Sequence, residues 1–256
     1  MDCYSTADAA EFRQWLVDKG LGNTSLQRIF GVVKAVVNFS IKERGLDCKN
    51  AFAGVYLPSE VNKKRLPIKE VKLKQLQEEC FRLDDDIRWL VALISDTGMR
   101  LSEAAGLLVD DLVIDAQQPY VNLTAHPHRR LKTDSSERVI PLVGSSLWAA
   151  QRIKQTQNSP FCFERYCDTH NCNSNSASAA INKWIKTIAG SEAVIHGLRH
   201  GFRDRLRAVE APVDMIDQLG GWSLRSVGQG YGEGYPLQNL EQWMRKIETF
   251  SHDALT

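Results

Sequence analysis

The stretch "HGLRHGFRDRLR", residues 196–207, decides how the chain is read. It lies inside a helical pattern running from Ile195 to Val209, and at helical spacing His196 and Arg199 share a face with His200 beside them. An imidazole and a planar fork of N–H donors can then converge on one anion. A guanidinium suits two phosphate oxygens at once, and a histidine that titrates near neutrality can relay a proton.

A second stretch, "DTGMRLSEAAGL", residues 96–107, places another arginine. Gly98 is expected to end one helix, and Arg100 follows at once, before a helix that Ser102 could cap. This sets Arg100 in a tight corner between helices, with Glu103 three residues on and able to hold its guanidinium. A third feature is "VGQGYGEGY", residues 227–235, where glycine alternates with other residues and two tyrosines are threaded through. Glycine is unfavourable inside helices and strands, so the segment reads as a loop.

Order and spacing together resemble the tyrosine recombinase family, in particular phage-type integrases, over nearly the whole chain. "TGMRLSE" looks like the family's first arginine box, and "HGLRHGFRDRL" like its second. "LGGW" ends at Trp222, where the family carries His or Trp, and Tyr231 lies nine residues further, the family's spacing to its nucleophile. Tyr235 precedes Pro236 and comes four residues late. The family's hairpin lysine maps onto Lys132 in "LKTDSSERVIPL".

The resemblance implies a reaction these residue types can support. The Tyr231 hydroxyl attacks a DNA phosphodiester, leaving a 3′-phosphotyrosine and a free 5′-hydroxyl, and a 5′-hydroxyl from another strand then reseals the bond. Arg100 and Arg199 clamp the phosphate, His196 accepts or orients the phenol proton, and Lys132 protonates the departing oxygen. Trp222 has one N–H donor and no titratable proton, so it can bond a phosphate oxygen and pack the site without shuttling protons. Glu103 and His200 support these groups. No metal or other cofactor is required. The glycines Gly228, Gly230 and Gly232 are expected to let the phenol swing in and out of line.

The remaining composition fits this picture. At 256 residues the chain is long enough for one large domain or two smaller ones. There is no signal-like start and no long apolar stretch, so a soluble, cytoplasmic protein is expected, with no membrane partner. The six cysteines are sparse and suit reduced thiols. Of these, Cys162, Cys167 and Cys172 stand with His170 in "CFERYCDTHNC", whose spacing does not match structural zinc loops, so no metal site is assigned.

The net charge is only +1, but the basic residues are clustered. Residues 1–61 balance seven Lys/Arg against seven Asp/Glu, whereas "KKRLPIKEVKLK", residues 63–74, holds six basic residues and one acid. With Pro67 this strip reads as a linker. Lys63, Lys64 and Arg65, together with Arg129 and Arg130 of "HRRLKTDSSER", are the expected phosphate contacts.

The expected architecture is mainly α with a small antiparallel β-sheet: a helical core-site DNA-binding domain over residues 1–65, then a catalytic domain over 66–256. One helix should run from Ser5 or Thr6 to Gly20, carrying Phe12, Trp15 and Leu16. A second should start at a Thr24 or Ser25 cap and reach toward Gly45, with Ile29, Phe30, Val32, Val33, Val36, Val37 and Phe39 forming its apolar stripe. "DDDIRWLVALISDTG" should be a helix closed by Gly98, and residues 108–143 a small sheet with a hairpin. Helices should follow over Ser145–Thr156, Ser176–Ala189, Ile195–Val209 and Val213–Leu219. A last helix should start at Pro236, with Leu237, Leu240, Trp243, Met244, Ile247 and Phe250 at helical spacing.

The implied partners are double-stranded recombination sites, a homotetramer assembled on them, and accessory DNA-bending proteins. The family often carries a further N-terminal arm-binding domain, for which this chain has no room, so it reads as a fragment or a short member. Two other readings stay open: a type IB topoisomerase, which relaxes DNA without exchanging partners, and a DNA-binding regulator that has lost catalysis.

Overall fold

The structure is a computed structural model that describes residues 4–58, 66–156, 158–222 and 234–250. The chain divides into two compact units, Met1–Lys64 and Arg65–Thr256.

In the first unit, α1 (Thr6–Asp18) begins at Ser5, whose hydroxyl accepts from the Asp8 backbone N–H while the Asp8 carboxylate accepts from the Ser5 backbone N–H. This reciprocal cap satisfies two N–H groups that the first turn would otherwise leave without partners. The second helix, α2 (Asn23–Glu43), starts at Gly22 with no side-chain cap, so Thr24 and Ser25 lie in its first turn instead of capping it. Leu26 and Phe30 of α2 pack on Ala9, Leu16 and Val55, with Phe12 tilted and Phe52 edge-on against Phe30. The expected stripe of α2 is only partly used, because Val32, Val36 and Phe39 are exposed.

The second unit is built around α4 (Asp86–Thr97). Asp85 caps it by accepting from the Arg88 N–H, and the helix ends at Gly98 with φ +63°. That conformation suits glycine, and a Cβ there would fall 2.3 Å from the Phe202 ring. Residues from Trp89 to Thr97 are all buried, which makes α4 the central rod of the core. Burying each of Leu90, Leu93 and Ile94 contributes about 1.5–3 kcal/mol.

Around α4 pack α3 (Glu70–Leu83), α6 (Gly144–Thr156), α7 (Ser174–Ala189) and α8 (His196–Ala208). The expected linker therefore gives way to helix at Glu70, because Leu73, Leu76 and Cys80 supply a buried face that the lysines obscure. Residues 63–65 lie outside the described residues.

The sheet is antiparallel in the order β1 (Leu112–Val113), β2 (Tyr120–Leu123), β3 (Arg138–Pro141), with Val121 opposite Ile140 and Leu123 opposite Arg138. The short helix α5 (Leu101–Ala105) follows Arg100, whose backbone occupies the cap position expected for Ser102. After α8 come α9 (Val213–Gly220) and α10 (Leu237–Arg245), the latter preceded by Pro236. Leu240 and Met244 of α10 are buried in this unit's own core. The helix stops before Ile247 and Phe250, and the Phe250 ring instead meets Phe81, 5.3 Å between centroids. Among the described residues no helix is long and apolar enough to cross a membrane.

Candidate active site

Three chain segments bring the arginines together. The corner after α4 carries Arg100, α8 carries Arg199 and Arg203, and β3 carries Arg138. Arg100 is pinned by Glu103 twice. Its backbone N–H donates to Glu103 Oε2 at 2.9 Å, and its Nη1 donates to Glu103 Oε1. The same Nη1 donates to Ser136 Oγ at 3.1 Å, and Nη2 donates to the Gly221 carbonyl at 3.2 Å.

Glu103 is 2% exposed and also accepts from Arg138 Nη2 at 3.1 Å. Burial raises its pKa, but the Arg138 charge, the Arg100 backbone N–H and the Arg100 guanidinium outweigh that, and the carboxyl is held below its ordinary range. Glu103 is thus an ionised brace between two arginines.

Arg199 is 3% exposed, and its Nη1 donates to the Gly98 carbonyl at 2.6 Å. Its Nη2 is buried and has no hydrogen-bond partner among the described residues. Burial and the neighbouring Arg100 charge push its guanidinium down to about 9, against the pull of Glu103. A buried cation with a donor left over is the condition under which an incoming anion gains most.

Trp222 forms the adjoining wall. The guanidinium carbon of Arg199 lies 4.4 Å from the ring centroid and that of Arg203 lies 4.5 Å away. Arg203 in turn donates to Asp217 Oδ1 at 2.8 Å. The turn "LGGW" is shaped by this packing. A Cβ at Gly220 would overlap the Trp222 ring, and one at Gly221, where φ is +60°, would lie 2.7 Å from Arg138 Nη1.

His196 opens α8 and is half-buried, with its ring set edge-on to that of His200, 4.8 Å between centroids. It borders a cavity of about 150 Å³ that Ile94, Met99, Leu101, Ser178 and Ile195 also line. Lys132 is exposed in the connection between β2 and β3. That connection is tied to the site one residue on, where Thr133 Oγ1 and Ser136 Oγ share a hydrogen bond of 3.0 Å. Since Ser136 accepts from Arg100, the hairpin that carries Lys132 is anchored on the first arginine.

Arg129 is a correction. Its place in the basic cluster suggests a surface side chain, but it is 2% exposed and lies inside the domain. Its guanidinium donates to the carbonyls of Glu103, Gly106 and Thr124 and pairs with Asp111 at 3.3 Å, so it braces the end of α5 and does not face a phosphate. Arg130 is exposed. Tyr231, Lys63, Lys64 and Arg65 lie outside the described residues, as do Gly228, Gly230 and Gly232. Tyr235 is described: its hydroxyl donates to Asp214 at 3.0 Å and its backbone N–H donates to Gln218 Oε1 at 2.8 Å, which ties it to α9.

Sequence reasoning passed over Arg138 and Ser136. The available signal was strand parity: Arg138 and Ile140 share one face of β3, and a charged side chain on the inward face of a strand calls for buried partners.

The phage integrase family model matches residues 68–234. The fold is similar to that of the Tn1549 transposon integrase solved with transposon right-end DNA, at 17% identity and TM-score 0.65 over 96% of this chain and 86% of that one. It is also similar to λ integrase, solved as a tetramer bound to a Holliday junction, at 17% identity and TM-score 0.60 over 89% of this chain and 66% of that one. The integrase of mycobacterium phage Brujita matches at 14% identity and TM-score 0.51 over 99% of this chain and 83% of that one. At these identities the likeness is one of fold. No curated protein matches the sequence.

Proposed function

The chain belongs to the phage integrase family, the tyrosine recombinases that cleave and rejoin DNA at specific sites, and from that premise we propose that Tyr231 is its nucleophile, acting on a phosphate held by Arg100 and Arg199. The observation that carries the reading is the state of Arg199: buried, stacked on Trp222, and left with an unpartnered Nη2 among the described residues. Such a group favours an anion with several oxygens. A phosphodiester is the ligand that the family supplies.

A phenol titrates near pH 10, so at pH 7 only about one in a thousand is ionised, a deficit of about 4 kcal/mol. Removing one preorganised hydrogen-bond donor aimed at transition-state charge typically costs roughly 3–4 kcal/mol. Two arginines on the phosphate are therefore enough in principle to offset the poor nucleophile, with His196 taking or orienting its proton. Lys132, at the end of a hairpin anchored on Arg100, protonates the 5′-oxygen as it leaves. The phosphotyrosine conserves the bond energy, so a 5′-hydroxyl of a second strand can reverse the step without water, metal or nucleotide.

Tyr235 is the less suitable of the two tyrosines. Partial burial and the Asp214 carboxylate hold its phenol above the usual value, and it is tied to α9. We propose further that duplex DNA carrying a recombination site is the partner and that four copies assemble on two such sites, as the λ enzyme does on its junction.

The test starts from a nicked duplex whose sequence has been selected for binding from a randomised pool. Incubated with the protein and a chelator, it should yield a covalent protein–DNA adduct that Tyr231→Phe abolishes. Binding with no adduct would overturn the catalytic reading and leave a regulator. An adduct with no exchange between two sites would favour relaxation over recombination.

A further inference from the structure

We propose that Arg138 is a positioning residue for strand cleavage: from β3 it holds the Glu103 carboxylate, the hairpin main chain and the Leu219 carbonyl in one register, so that Arg100 and Trp222 address the same phosphate. The inference rests on the recombinase reading above and deepens it.

Arg138 stands on the inward face of its strand and is 9% exposed as a residue, with its side chain 3% exposed. A charge so placed is costly unless it is paired and hydrogen-bonded. Each of its three donor nitrogens goes to a different part of the chain. Nη2 donates to Glu103 Oε2 at 3.1 Å, Nη1 to the Ser136 carbonyl at 2.7 Å, and Nε to the Leu219 carbonyl at 2.8 Å.

These bonds close a circuit. Glu103 fixes the backbone and guanidinium of Arg100, and Arg100 Nη2 reaches the Gly221 carbonyl at 3.2 Å. Gly221 lies two residues beyond Leu219, where the circuit began, and one before Trp222. The turn presses on the guanidinium so closely that a Cβ at Gly221 would sit 2.7 Å from Arg138 Nη1. One planar fork therefore sets the distance between the corner that carries Arg100 and the turn that carries Trp222. A lysine could keep the charge but, with a single nitrogen, could not serve three acceptors in the plane of a fork. Arg138 acts through Glu103, the hairpin and the turn before Trp222, to which its three nitrogens already donate.

The experiment compares the full-length wild type, Arg138→Lys and Arg138→Met on the selected nicked duplex, measuring Kd, the single-turnover rate of adduct formation, and Tm. A misplacement of about 1 Å costs on the order of 10²-fold in rate, so both variants should bind DNA within about threefold of wild type and form adduct roughly 10²-fold more slowly. If Arg138→Met does not fold, Arg138→Lys decides. A folded Arg138→Lys that cleaves at the wild-type rate overturns the inference. Equal loss of binding and cleavage also overturns it, since that marks a purely structural role. A wild type that binds the duplex but forms no adduct defeats the recombinase reading itself, before any Arg138 variant is compared.

Discussion

Arg199 lays its guanidinium against the Trp222 ring, 4.4 Å from carbon to centroid, while its Nη1 holds the Gly98 carbonyl and its Nη2 has no partner among the described residues. The stacking and the single carbonyl fix the direction of the fork and leave one edge of it to an external acceptor.

This arrangement predicts anion-dependent stability. Inorganic phosphate should stabilise the fold beyond a chloride control of equal ionic strength, by about 1–3 kcal/mol at concentrations well above its Kd, and Arg199→Met should abolish the difference. Because burial and Arg100 push Arg199 down to about 9, the phosphate effect should weaken as pH rises toward that value. Identical phosphate responses in wild type and Arg199→Met would remove Arg199 from the anion site.

Gly221→Ala should damage both stability and cleavage. A left-handed alanine costs about 1–2 kcal/mol, and the new Cβ also crowds Arg138 Nη1 and the Ser135 carbonyl. Thermal unfolding should show a loss of at least about 2 kcal/mol, and cleavage should fall further than stability explains, because the Gly221 carbonyl also holds Arg100. Wild-type cleavage by a destabilised but folded variant would show that the turn does not set the site.

Glu103 gives a pH signature. Its native pKa is depressed, so its contribution is fully present above the unfolded value, about 4.3, and is lost as pH falls through the lower native one. Glu103→Gln should be less stable than wild type by about 3 kcal/mol at pH 7, since it leaves Arg138 buried without its counter-charge. Denaturant titrations should show that gap narrowing once the pH drops below about 4.3. A gap independent of pH would mean that the lost contact is not ionic.

The two tyrosines should separate cleanly. Tyr235→Phe removes the bond to Asp214 and should cost about 1 kcal/mol of stability while leaving adduct formation intact. Tyr231→Phe should abolish the adduct. Tryptic mapping of the covalent species supplies the check, and a phosphotyrosine found at Tyr235 would reverse the assignment.

Much of the second unit was legible because its signals are local. Acids and a terminal glycine bracket α4, and the motifs around Arg100 and Arg199 carry their own helix boundaries. Where the reading went astray, tertiary partners decided. Arg129 and Arg130 are adjacent and chemically alike, yet only Arg129 turns inward, because Gly106 leaves room for it and Asp111 supplies a counter-charge. A Cβ at Gly106 would lie 2.7 Å from the Arg129 side chain, a relation between positions far apart in sequence. On α2 the apolar periodicity is real, but the small first unit buries only Leu26 and Phe30 of that helix. Helical periodicity identifies an apolar face and does not say what covers it.

The carbonyl of Gly98 grips Arg199, and Arg100 follows two residues later on the same stretch of backbone. The span between the two cations is consequently gauged by a short length of main chain and not by the bulk of the surrounding side chains. Substitutions that repack α4 or α8 can therefore accumulate without changing the width offered to a phosphate, so long as the helix still ends at that glycine. The core of this unit can vary in that way while the gauge stays constant.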